Sequence, residues 1–195
     1  MKYVKMLGLA AMAMAALMAF AGTAAATTVT SPENVTSTPT IEAESEGATK
    51  LSSGFFATVT CHNSSVKGKV EQHGAGVTAK GNISSLTFTN CTGGTVTAVT
   101  QPGNLEVHPT ATTGNGTLTS NSAKVIVHTS VGECVFTTSA TDIGTLTGSN
   151  ITGGKATLDI GSSAIPQTGS NPFCPSSATW SGNYVVNAPT YLAVH

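Results

Sequence analysis

From residue 41 onwards, apolar and polar residues alternate in short runs with a period of two. In FFATVTC, Phe55, Ala57, Val59 and Cys61 share one face and Phe56, Thr58 and Thr60 the other, which predicts a half-buried β-strand. Upstream, TIEAESEGAT sets Ile41, Ala43 and Ser45 against Glu42, Glu44 and Glu46. The intervening LSSG supplies a turn, so the two segments predict a hairpin. SVKGKVEQ, ISSLTFTN, GTVTAVT, NLEVHP, GTLTS, AKVIVHTS, ECVFTTS, IGTLTG and KATLDI continue the series, each bounded by Gly, Pro, Asn or Ser. In the last long run, Ala178, Trp180, Gly182, Tyr184 and Val186 lie on one face and Thr179, Ser181, Asn183, Val185 and Asn187 on the other. Inward aromatics at strand spacing read as core packing rather than as an exposed strip for carbohydrate or hydrocarbon. Pro189 interrupts the run before YLAVH. Short strands at this spacing predict an all-β fold, an antiparallel sandwich or barrel, of which the β-sandwich is preferred.

The N-terminus follows a different pattern. Two lysines in residues 1–5 precede an uncharged run from Met6 to Ala21, and Ala24, Ala25 and Ala26 fit a small-residue cleavage site. Residues 1–26 therefore read as a secretory signal peptide rather than a membrane anchor, since the run is short and rich in alanine. No cysteine stands at the cleavage site for a lipid. Thr27 to Thr40, with Pro32, Pro39 and few apolar residues, reads as a flexible leader and spacer. Residues 41–195 form the single sandwich domain, with no transmembrane segment once the signal is removed.

Composition narrows the class. Charged residues are 9% of the 195, well under the roughly 25% of ordinary soluble domains. Every basic residue is lysine, and the net charge is −1. Nucleic-acid binding, which uses clustered positive charge and arginine forks, is excluded on this basis.

Cys61, Cys91, Cys134 and Cys174 belong to an exported chain and predict two disulfides. Of the three connectivities, Cys61 with Cys91 and Cys134 with Cys174 is preferred, because each pair closes a moderate loop between neighbouring strands. Each closure stabilises by roughly 3–4 kcal/mol on the loop-entropy estimate. The spacing lacks the CxxC and HxxxH signatures of a zinc site.

The chain contains no GxSxG, HExxH, P-loop or calcium-loop motif. His62, His73, His108, His128 and His195 are widely separated and read as scattered surface residues. Asp142 and Asp159 carry no sequence sign of forming a catalytic pair. The Glu42, Glu44 and Glu46 row reads as a solvated face that discourages edge pairing rather than as a calcium site. Asn34, Asn82 and Asn115 begin Asn-x-Ser/Thr triplets, which a chain so rich in Ser and Thr produces by chance. No catalytic residue, cofactor or metal ligand is assigned.

ATVTC, GNISSLTFTNCTGG, GNGTLT and CPSSATWSGNYVVNAPTYLAV, in that order, resemble a group of exported Thr/Gly-rich bacterial proteins that includes PraB-type alkane-oxidation activators. The likeness spans Ile41 to the C-terminus. It implies a secreted or surface β-protein of bacterial origin, in the extracellular space, at the cell surface or in the periplasm, and supplies no site residues. The expected function is a non-enzymatic interaction or matrix component that contacts a surface polymer or itself. The alternatives are a fibre subunit assembling by strand exchange and a carbohydrate-active or hydrocarbon-interacting extracellular protein. An outer-membrane barrel is disfavoured, since so few aromatics cannot form two girdles.

Overall fold

The computed structural model describes residues 29–30, 38–54, 58–74, 77–98, 103–110, 114–149 and 154–194. The chain is all-β, and no helix among these residues is long and apolar enough to cross a membrane. The strands are β1 (Val29–Thr30), β2 (Thr40–Ser45), β3 (Thr49–Ser52), β4 (Val59–Gly74), β5 (Val77–Thr92), β6 (Thr95–Ala98) and β7 (Asn104–Pro109). They continue with β8 (Gly116–Asn121), β9 (Lys124–Thr129), β10 (Gly132–Thr137), β11 (Thr141–Thr147), β12 (Thr157–Pro166), β13 (Ser177–Ala188) and β14 (Ala193–Val194).

The large sheet corrects the expected sandwich. Its order is β12, β11, β8, β7, β5, β4, β2, β13, and β13 pairs back onto β12, closing an eight-stranded antiparallel barrel. Alternation is identical in a sandwich and a barrel, because both bury one face of each strand. What distinguishes them is whether the outermost strands meet. Here they meet through eight residue pairs, among them Leu158 opposite Tyr184 and Ile165 opposite Ala178.

The expected hairpin is present in part: Thr49–Leu51 on β3 pairs with Val59–Cys61, whereas β2 pairs further along β4, at Ser65–Lys69, and Leu51 and Ser52 of the expected turn are strand. β2 and β3 both also pair with β13, so they form one row kinked between Glu46 and Ala48. Gly47, at φ 89°, takes the left-handed conformation that the kink requires. Val59 and Cys61 face inward, whereas Phe55, Phe56 and Ala57 lie outside the described residues. ATVTC and SVKGKVEQ, read as separate strands, merge into β4, which is 16 residues long.

A second, three-stranded sheet, ordered β10, β9, β6, packs across one end of the barrel. There β3, the start of β4, the end of β5, the end of β12 and the start of β13 form the opposing layer, so this end alone is sandwich-like. The molecule has two cores. One fills the barrel around Leu118, Leu146, Leu158 and Tyr184; the other lies under the small sheet around Val59, Val127, Phe136 and Ile165. Phe88 and Trp180 pack against both, edge to face at 5.9 Å.

At its other end lies a two-stranded sheet of β1 and β14. Val29 and Thr30 pair with Val194 and Ala193, and further bridges join Val194 to Gly114 and Leu192 to Ser149. Val29 is only 4% exposed and belongs to the barrel core. The expectation of a leader without a place in the domain therefore fails at Val29, because the barrel end offers an apolar seat to one inward side chain. It also fails at Thr40, which already pairs with Lys69. The signal-peptide segment and residues 31–37 lie outside the described residues.

Candidate functional site

The titratable groups are spread around the outside of the molecule. Glu42 pairs with Lys67 at 3.0 Å, and Glu44 accepts a hydrogen bond from Asn187 at 3.2 Å. The glutamate row thus divides between the flanking strands β4 and β13. Glu106 on β7 takes Lys80 at 2.7 Å and His108 at 3.7 Å, and Glu133 lies 3.9 Å from His128. Asp142 accepts the Thr119 hydroxyl at 2.6 Å, whereas Asp159 stands opposite Thr145 and Asn183, so the structure does not bring the two aspartates into a shared site. His62 is exposed on β4, and His195 lies outside the described residues. Among the described residues no group of three His, Cys, Asp or Glu is placed to hold a metal ion.

One buried polar pair stands out from this pattern. The Tyr184 hydroxyl lies 2.9 Å from Ser64 Oγ inside the wall, and burial pushes it well above the ordinary tyrosine range, partly opposed by the Ser64 bond. Ser64 is placed by the kink, where its backbone N–H donates to Ser45 Oγ at 2.9 Å. The pair faces the barrel wall and serves as a structural link.

The four cysteines form two disulfides, Cys61 to Cys91 and Cys134 to Cys174. Cys61 and Cys91 are directly opposed on β4 and β5. The second disulfide ties β10 to the loop between β12 and β13. This loop, residues 167–176, runs along the outer edge of β10. Thr168 N–H donates to Val135 O at 2.8 Å, and Gln167 bridges to Phe136. Asn171 fixes the turn: its Nδ2 donates to Glu133 O at 3.1 Å and Val131 O at 3.3 Å, and its Oδ1 accepts Phe173 N–H at 3.0 Å. Cys174 N–H donates to Asn171 O at 3.2 Å.

At the apex of this loop, between Pro172 and the disulfide, Phe173 is 66% exposed. It is the only large apolar side chain so exposed among the described residues. An exposed aromatic on a mobile loop is unremarkable, but here the backbone on both sides is fixed, so little entropy is lost when the ring is covered. Sequence reading passed over Phe173. The signal available was the string NPFCP, in which two prolines and a cysteine hold an aromatic in a segment with no strand period.

The barrel interior provides the second feature, a cavity of about 80 Å³ lined by apolar side chains from several strands and by the terminal segments. Compared with known proteins, the chain matches no family model, no curated protein and no solved structure.

The outward positions of the wall carry Glu44, Lys67, Thr145 and Asp159, all exposed, while the inward ones are apolar. This is the inverse of a membrane-spanning barrel, whose apolar residues face the lipid. The two disulfides fit an oxidising location, extracellular or periplasmic.

Proposed function

We propose that the protein is a non-enzymatic, exported interaction protein of the cell surface or extracellular space that engages its partner through the Phe173 loop. The observation that carries this reading is the rigid presentation of Phe173: a disulfide, an Asn171-centred turn and two prolines hold one exposed aromatic above a covered sheet edge. Interfaces concentrate their energy in a few such aromatic anchors. The polar, hydroxyl-rich wall supports the same reading. Hydroxyl pairs such as Ser65 with Thr87 at 2.7 Å across β4 and β5, and Thr137 with Thr168 at 2.8 Å between β10 and the loop, give a neutral surface suited to lying against a hydrated polymer. The bacterial, Thr/Gly-rich resemblance agrees with this setting.

The test is co-sedimentation of the purified protein with the envelope fraction of the producing cells, comparing wild type with Phe173→Ser. Phe173→Ser is expected to bind at least about tenfold more weakly with its unfolding midpoint unchanged. Equal binding by the two proteins, or no binding by wild type, refutes the proposal.

A further inference from the structure

We infer that the interior of the barrel is a binding site for a small apolar molecule, of the size of xenon or a three-carbon hydrocarbon. The argument begins with the wall. An eight-stranded barrel is just wide enough for side chains to fill it or for one small ligand. Most inward positions here hold Val, Leu or Ile, but Ala43 on β2 and Ala79 on β5, which line the same space, are buried and small. The volume those residues leave is the cavity of about 80 Å³.

Its chemistry is uniform. Ile83, Leu118, Leu146 and Leu158 line its sides, and Val29, Leu192 and Val194 line it where β1 meets β14. Lys69, Lys80 and Asn82 also border the space but present almost no polar surface to it, and the Lys80 ammonium reaches outward to Glu106 at 2.7 Å. A water molecule needs two to four polar partners to enter a protein interior, and this lining offers hydrocarbon. An apolar cavity of about 150 Å³ accepts benzene. One of about 80 Å³ selects for something smaller. The site is separate from the Phe173 loop, which belongs to the other core, so either proposal can fail alone.

The experiment is a methyl-resolved NMR titration of the full mature chain with dissolved xenon and with cyclopropane. Saturable shifts are expected at the methyls of Ile83, Leu118, Leu146 and Leu158, with Leu51 and Val127 in the second core unmoved. Ala79→Leu, which places three more carbons in the space, is expected to weaken binding at least about tenfold, since overpacking removes the volume. Ala43→Val provides the same test with a smaller intrusion if Ala79→Leu does not fold. Leu118→Ala enlarges the site and is expected to extend its range to benzene. Linear shifts, equal shifts in both cores, or undiminished binding in a folded filled variant overturn the inference. Binding by Leu118→Ala alone also overturns it, because the native space would then be too small to act as a site.

Discussion

Among the described residues, seventeen buried ones fill the barrel core and none of them is a cysteine; eight fill the second core, and two of those are halves of disulfides. The partners, Cys91 and Cys174, pack against that same smaller cluster. A closed barrel leaves no strand edge unpaired and buries its apolar face on itself. The three-stranded sheet has two edges and little area of its own, and a small core supplies little stability without covalent help. The cross-links therefore sit where burial is least. The loop bearing the second one also covers the β10 edge, so a single segment staples the sheet and shields it.

The comparison predicts unequal responses to damage. The largest effect belongs to the disulfides: replacing Cys134 and Cys174 together by alanine should cost about 4 kcal/mol on the loop-entropy estimate, read as a fall in the urea midpoint. Hydrogen exchange should then show β9 and β10 opening while β4, β8 and β12 stay protected. Uniform loss of protection would mean that the two cores are one cooperative unit.

Next comes the pairing of β11 with β12. A Cβ on Gly144 would run into the Asp159 carbonyl oxygen where β11 lies against β12. Gly144→Val should therefore cost about 3 kcal/mol by forcing the strands apart, with the loss of protection starting in β11 and β12 instead.

The smallest effect concerns the link inside the wall. Tyr184→Phe leaves the buried Ser64 hydroxyl without its partner and should cost about 1–2 kcal/mol. It should also change the alkaline limb of the stability curve. The folded state holds the Tyr184 proton more tightly than the unfolded state, so its contribution is complete below about pH 10 and is lost as pH rises towards the raised folded value. Wild type should lose about 1.4 kcal/mol per pH unit in that range from this group; Tyr184→Phe should lack that component in urea melts at alkaline pH.

Much of the strand inventory was legible because alternation is a local property. NLEVHP coincides with β7, and the inward set Ala178, Tyr184 and Val186 is buried on β13. Closure was not legible, since it depends on β12 and β13 meeting across the molecule, a pairing that no short window records. The same blindness hid the cavity, which exists only once Ala43 on β2 and Ala79 on β5 line one interior. Val29 was missed for a related reason: TTVT shows a strand's alternation, but its partner at Val194 lies at the opposite end of the chain. The Phe173 loop failed differently, since period-two reading is silent about segments without a period.

The position of β13 also governs the order in which the molecule can assemble. β4 and β5 adjoin in sequence and can zip from their turn, whereas β13 must find β2, and the Asn187 to Glu44 contact spans 143 residues. Pairings so distant make folding slow, on the order of milliseconds to seconds. Throughout that interval β2 and β12 are unpaired edges, able to capture another copy of the chain. Refolding yield should therefore fall with protein concentration far more steeply than the finished barrel's solubility would suggest.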